Sequence, residues 1–203
     1  MRLYGSVNSP FVRKVRIVIG ELELEERVEF IAAEGTPLDD PGLRAKTPLK
    51  KIPFLETSDE RILFDSRVIA EAMIESCPDE ATARAMLPSG GPDRQDTLTR
   101  QALGDGICDA AVGVAYETRL RPEALHWPEW LDIQWGKVVS ALDWAETRAL
   151  AADRFDLGDA ALAAALPYLD FRFPDRDWRI GRPALTGWWD GVRARPAVAA
   201  TLS

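Results

Sequence analysis

Residues 53–76 read PFLETSDERILFDSRVIAEAMIES, and this stretch decides the fold. Residues 53–56 and 62–64 are two short apolar runs separated by the polar turn 57–60, the signature of a tightly connected strand pair. Residues 66–76 then place Val68, Ile69, Ala72 and Met73 on one helical stripe. Working backwards, residues 27–31 alternate as a strand. Residues 11–22 carry Phe11, Val15, Val18, Ile19 and Leu22 at helical spacing, with Arg13, Lys14 and Arg16 elsewhere on the helix. Residues 2–4 are a short apolar strand. The order is strand-helix-strand, a Gly/Pro/Asp-rich connection, then strand-strand-helix, which predicts a mixed sheet with helices in fewer than 80 residues.

Working forwards, residues 77–92 (CPDEATARAMLPSGGP) are rich in proline, glycine and small polar residues and read as a loop-like linker. Beyond them no segment reads as a strand, and 93–119, 128–151, 156–170 and 183–193 are helical candidates. All seven tryptophans fall between Trp127 and Trp189, a composition shift that marks a second domain. The predicted organisation is a small α/β domain over 1–77, a linker over 78–92 and an all-helical domain over 93–203.

Composition narrows the chemistry. The 203 residues carry 25 Lys and Arg against 33 Asp and Glu, a net charge of −8, which argues against nucleic acid or an anionic membrane as the main partner. Two cysteines, Cys77 and Cys108, and one histidine, His126, exclude a disulfide scaffold, the usual zinc clusters and histidine-dependent nucleophiles. Asp105 and Asp109, four apart with no histidine beside them, make a poor metal site, so no metal is expected. The opening MRLYGSVNSPF has no long apolar stretch, and the expected compartment is the cytoplasm.

Three short motifs could carry chemistry, and each has a structural reading beside the functional one. Ser9-Pro10-Phe11 is a good helix start, with serine as N-cap and proline as first helical residue. The same geometry suits a hydroxyl holding an anion, such as a thiolate, beside unpaired backbone N–H groups. Lys50-Lys51-Ile52-Pro53-Phe54 can be an edge-strand start. With a cis Ile52–Pro53 bond, it can instead turn the Ile52 N–H and C=O outward to pair with an extended peptide. Arg44, Lys46, Lys50 and Lys51 form either a solvated basic loop or a carboxylate site. Asp65-Ser66 can cap the following helix. Alternatively, Ser66 and the helix N-terminus bind a carboxylate while Asp65 holds an ammonium, recognising a free amino-acid head group.

In their order and spacing these motifs resemble the glutathione transferase family. The residues that carry the likeness are Ser9-Pro10-Phe11-Val12-Arg13-Lys14-Val15, then 47–55 (TPLKKIPFL), then Phe64-Asp65-Ser66 with Ile69. In the second half, 155–162 (FDLGDAAL) is similar to that family's buried helix start and Arg195-Pro196 to its last-helix ending. Residues 102–110 (ALGDGICDA) are similar to a segment of bacterial members. The resemblance spans essentially the whole chain. It implies an α/β thioredoxin-like N-terminal domain followed by an all-α helical C-terminal domain that carries a hydrophobic co-substrate pocket.

The resemblance also implies residue roles. Ser9 matches the serine whose hydroxyl donates to the glutathione sulfur. Ile52 and Pro53 match the pair that meets the cysteinyl backbone, and Asp65 and Ser66 the γ-glutamyl binders. Lys51 or Lys50 matches a basic residue near the glycine carboxylate. The implied function is conjugation of glutathione, as co-substrate, to a small hydrophobic electrophile, with detoxification as the role and a homodimer as the assembly. The alternatives are a non-catalytic binding or scaffold protein of the same fold and a glutathione-dependent peroxidase or thiol reductase. Ser9, where the reductase-type members have cysteine, disfavours the last.

Two departures stand out. Asp65 occupies a position where glutamate is commoner, and Asp156 one where Ser or Thr caps the helix. Aspartate caps as well, so the expected consequence at Asp156 is slight. Asp159 suits the helix dipole, but its short side chain leaves the reciprocal bond of a capping box open. Trp127, Trp130, Trp135 and Trp144 read as helix-packing residues, and Cys108 as a small buried one.

Overall fold

A computed structural model describes residues 1–32, 46–148 and 154–202. Arg44 of the basic cluster and most of the Gly/Pro/Asp-rich connection lie outside them. The elements are β1 (Arg2–Gly5), α1 (Pro10–Glu21), β2 (Glu29–Ala32), β3 (Phe54–Glu56), β4 (Ile62–Leu63), α2 (Ser66–Glu75), α3 (Glu80–Met86), α4 (Gly91–Leu120), α5 (Pro128–Glu146), α6 (Leu157–Arg172), α7 (Pro183–Val192) and α8 (Pro196–Ala199). Single 3₁₀ turns occupy Glu25–Arg27 and Glu123–Leu125. Among the described residues no helix is long and apolar enough to cross a membrane.

The chain divides into two compact units, Met1–Gln95 with Pro196–Ser203, and Asp96–Arg195. This corrects two expectations. The stretch 78–92, expected as a linker, holds α3, because Asp79 caps it by accepting from the Ala81 N–H at 3.1 Å. Met86 and Leu87 are buried, and Arg94 ties the segment to Glu71 at 2.8 Å and to the Pro88 carbonyl at 3.1 Å. The helical domain also stops short of 203. Residues from Pro196 belong with the first unit, where Val198 is fully buried.

In the first unit a four-stranded sheet runs in the order β2-β1-β3-β4. β1 and β2 are parallel, as the helical crossover through α1 requires, and β3 is antiparallel to both β1 and β4. Helix α1 buries more than the expected stripe. Val12 and Ile17 join Val15, Val18 and Ile19 out of water, while Phe11 is only partly covered, because α1 packs on both α2 and α8. On α2 the buried face is Ile69, Ala70, Met73 and Ile74, rotated from the expected one. Val68 is 49% exposed, so it belongs to the outer face.

The second unit is built around α6, buried almost continuously from Leu157 to Leu166. α4 can approach it closely because position 104 is glycine. A Cβ there would stand 2.5 Å from the Ala161 carbonyl carbon and 2.8 Å from its Cβ. The tryptophans that fill this core are Trp178, Trp188 and Trp189. Trp178 donates from Nε1 to Asp170 at 2.9 Å, and Arg179 grips the same carboxylate with two bonds of 2.8 Å. Trp127, expected in the packing, is 59% exposed at the start of α5. Trp135 and Trp144 are half-covered, each beneath a guanidinium, from Arg176 and Arg148 respectively.

Candidate functional site

The sheet register gathers the three motifs at one edge. Tyr4 faces Phe54, so the chain entering β3 through Ile52 and Pro53 lies at the end where β1 leaves the sheet toward Ser9. Leu55 faces Leu63, so β4 leaves at that same end and delivers Asp65 and Ser66 there. The strand ends therefore place two helix N-termini, those of α1 and α2, along one edge of the first unit. Backbone N–H groups at such ends lack intrahelical partners and favour anions.

Each motif shows both of its readings in the geometry. Ser9 is the N-cap of α1, partly exposed, with Oγ accepting from the Val12 N–H at 3.4 Å and Pro10 as the first helical residue. Since Oγ is an acceptor in that bond, its own O–H remains a donor. The Ile52–Pro53 peptide is cis, Pro53 is buried, and the Ile52 N–H and C=O pair with no backbone group among the described residues. Asp65 is the N-cap of α2, exposed, with Oδ1 accepting from the Arg67 N–H at 3.0 Å. Ser66 is the first residue of α2 and is buried.

The basic cluster separates into two kinds. Lys46 is taken up internally, donating to the Tyr4 hydroxyl at 2.7 Å and to Glu56 at 3.2 Å. Tyr4 in turn donates to Glu56 at 2.9 Å while its ring stacks on Phe54 at 4.4 Å, and Arg2 bonds the other Glu56 oxygen at 3.0 Å. The bonds from Tyr4 and Lys46 hold the Glu56 carboxyl below its ordinary value, and the bond to Tyr4 raises Lys46. Lys50 and Lys51 are exposed and make no ion pair among the described residues. Lys50 sits at φ 53, its N–H donating to the Thr47 carbonyl at 3.1 Å, so the 47–50 turn presents the two lysines ahead of the cis bond.

A second polar cluster, in the second unit, surrounds the start of α6. Asp156 caps the helix, accepting from the N–H groups of Gly158 at 2.9 Å and Asp159 at 3.2 Å. Asp159 accepts from the Asp156 N–H at 3.0 Å, so the capping box is complete despite the shorter acid. Arg100, reaching from α4, bonds both carboxylates, with Nη1 at 2.9 Å from Asp156 and 3.0 Å from Asp159, and its Nη2 holds the other Asp156 oxygen. Its Nε bonds Asp96 at 2.9 Å, and Thr97 donates to Asp156 at 3.1 Å. The aspartate in place of Ser or Thr therefore has a large consequence: a second buried charge that requires this arginine. Burial first, and then the neighbouring Asp156 charge, push the Asp159 carboxyl up to about 6. Burial opposes ionisation of Asp156 as well, but the Arg100 bonds prevail and hold it below the usual carboxylate range. Arg100 gave no sequence signal, since its partners lie 56 and 59 residues away. Thr97, Arg100, Asp156 and Asp159 are buried, which sets them apart from the open edge at Ser9.

Residues 8–76 match the family described as "Glutathione S-transferase, N-terminal domain", and residues 128–190 the "Glutathione S-transferase, C-terminal domain". An uncharacterized GST-like protein of Escherichia coli K12, YibF, is 34% identical over 99% of this chain and 98% of its own. Glutathione S-transferase 3 of Zea mays is 29% identical over 100% of this chain and 93% of its own. Among solved structures, a glutathione transferase family member from Pseudomonas fluorescens Pf-5, crystallised with bound glutathione, superposes with a TM-score of 0.93. That protein is 38% identical, over 98% of this chain and 97% of its own. From the mixed sheet and the edge it builds to the helical unit behind Asp156, the chain belongs to the glutathione S-transferase family.

Proposed function

We propose that the protein binds glutathione along the edge formed by Ser9, Ile52–Pro53 and Asp65–Ser66 and activates its thiol for attack on a small hydrophobic electrophile. The observation that carries this reading is the convergence of three chemically different recognition elements on one sheet edge. Asp65 meets the γ-glutamyl ammonium, while Ser66 and the α2 N-terminus receive the adjacent carboxylate. The free N–H and C=O of Ile52 pair with the cysteinyl backbone as one more strand would. Lys50 or Lys51 meets the glycine carboxylate. The relative from Pseudomonas fluorescens, solved with glutathione bound, supports this choice of ligand.

In this reading Ser9 donates its O–H to the sulfur and stabilises the thiolate. Lowering a thiol from its ordinary pKa near 8.5 to near 6.5 requires roughly 2.7 kcal/mol. A hydrogen bond to a charged group contributes about 1.5–3 kcal/mol, and a helix N-terminus about 0.3–1 kcal/mol. Ser9 at the start of α1 is therefore sufficient without a histidine base. The thiol proton passes to solvent as the thiolate forms. The thiolate then makes the new C–S bond while the leaving group departs with its electron pair, or adds to an unsaturated carbon whose neighbouring carbon takes a proton from water. Holding both reactants together supplies the remaining acceleration.

Calorimetric titration with glutathione tests the reading. Binding by the wild type that weakens about tenfold or more in Asp65→Ala is the expected result, given the strength of a charge-assisted bond. No measurable heat with the wild type would overturn it in favour of a protein that keeps the fold for docking alone.

A further inference from the structure

A hydroxyl that stabilises an anion must be held in place, and the cap at Ser9 does little of the holding. The bond from the Val12 N–H to Ser9 Oγ is 3.4 Å long, at the outer limit for such a contact. The first turn of α1 is closed instead by the Arg13 N–H, which donates to the Ser9 carbonyl at 2.9 Å. The side chain of the same residue reaches 188 positions along the chain, donating from Nε to the Thr201 carbonyl at 3.3 Å. Thr201 is itself fixed: it is 3% exposed, and both its N–H and its hydroxyl donate to the Val198 carbonyl, at 2.9 and 2.8 Å.

The same face of α1 meets this C-terminal hook at two further points. Arg16 donates from Nη2 to the Ala200 carbonyl at 3.3 Å. Gly20 lies so close to α8 that a Cβ there would stand 2.8 Å from the Ala197 Cβ. Positions 13, 16 and 20 are three and four apart, hence one helical face. The two carbonyls that these arginines bond, of Ala200 and Thr201, lie just past the end of α8 and accept from no backbone N–H among the described residues.

We propose that Arg13 is a positioning residue for Ser9: through its backbone N–H and its guanidinium it ties the hydroxyl-bearing first turn of α1 to the hook that begins at Pro196. The proposal rests on the reading of Ser9 as the thiolate donor. A donor displaced by a few tenths of an ångström loses much of an anion's hydrogen bond while leaving ligand contacts made elsewhere intact. Loss of Arg13 therefore separates thiol activation from glutathione affinity.

The experiment measures two quantities on the purified full chain: glutathione affinity by calorimetry, and the pKa of the bound thiol by ultraviolet titration of its thiolate absorbance. Arg13→Ala is expected to raise the bound-thiol pKa by about one unit while changing affinity by less than threefold when affinity is read near pH 5.5, where the thiol is protonated in both proteins. Arg13→Lys is expected to recover part of that shift. Gly20→Ala, which pushes α8 away without touching Arg13, is expected to shift the pKa in the same direction by less, and it serves if Arg13→Ala fails to fold. Arg16→Ala removes a tail contact one turn farther from Ser9. It is expected to lower the melting temperature while leaving the thiol pKa in place. An unchanged thiol pKa in both Arg13→Ala and Gly20→Ala, with wild-type activation intact, would overturn the positioning role alone. A wild type that binds glutathione without lowering its thiol pKa would overturn the Ser9 reading and this inference together.

Discussion

Among the described residues three helices begin on an aspartate, and at two of them, α2 and α6, the same local signal leads to opposite ends. At the start of α2, Asp65 accepts from the Arg67 N–H at 3.0 Å while the residue stays exposed. At the start of α6, Asp156 accepts from Gly158 and Asp159, but it is 3% exposed and locked with Asp159 onto Arg100. An N-cap alone contributes on the order of 1 kcal/mol in either place. What separates the two is the environment: an exposed carboxylate keeps capacity for an incoming ammonium, whereas a buried one must find its counter-charge within the fold. Binding capacity at a helix start is set by what covers it.

The largest effect is expected where that buried counter-charge is removed. Arg100→Met leaves two carboxylates without their arginine and should cost about 3–5 kcal/mol, read from the urea midpoint. A loss under 1 kcal/mol would mean that the two acids are accommodated without Arg100 and that the contrast with Asp65 is one of exposure only. Next in size, Asp65→Asn keeps a capping oxygen but removes the charge. Glutathione affinity should fall about tenfold with the melting temperature nearly unchanged. If stability falls and affinity does not, Asp65 is a cap like Asp156 and nothing more.

A smaller effect is expected from pH. Asp159 is raised from its ordinary value to about 6 in the folded chain, so its contribution is complete at pH values below the unfolded pKa and is lost as pH rises through about 6. Asp156 is depressed and acts in the opposite sense: its contribution is present above its ordinary value and fades as pH falls below it. Stability should therefore decline between pH 5 and 7.5, by on the order of 1 kcal/mol, and Asp159→Asn should flatten that slope. The groups facing the pair are Arg100, Asp96 and Thr97 from α4, together with Arg154. A slope that survives Asp159→Asn would place the titration elsewhere.

These contrasts also show what was legible in the sequence. Ser9-Pro10 and Asp65-Ser66 announce helix starts because capping is a local matter of side-chain length and backbone geometry, and the structure puts both at those starts. The alternation of strands and helices was likewise readable, since period and turn chemistry are local. Arg100 was not, because its carboxylates arrive from another helix, nor was the uptake of Lys46 by Tyr4 and Glu56. Helix α3 was hidden by the prolines and glycines that flank it, although Asp79 before Glu80 was a cap in plain view. Val68 falls on the expected stripe yet faces outward, because a helical stripe fixes spacing and leaves a rotation undecided, and here packing turns Ala70 and Ile74 inward instead. The hook from Pro196 joins residues at opposite ends of the chain, a pairing that local pattern does not encode.

In the proposed reading, the open edge differs from the buried cluster most directly in what it would do to a bound thiol. Ultraviolet titration of glutathione bound to the wild type and to Ser9→Ala measures this. Activation by the Ser9 hydroxyl predicts a bound-thiol pKa near 6.5 in the wild type, returning most of the way to about 8.5 in Ser9→Ala, in keeping with the strength of one charge-assisted bond. The same pKa in both proteins would contradict it.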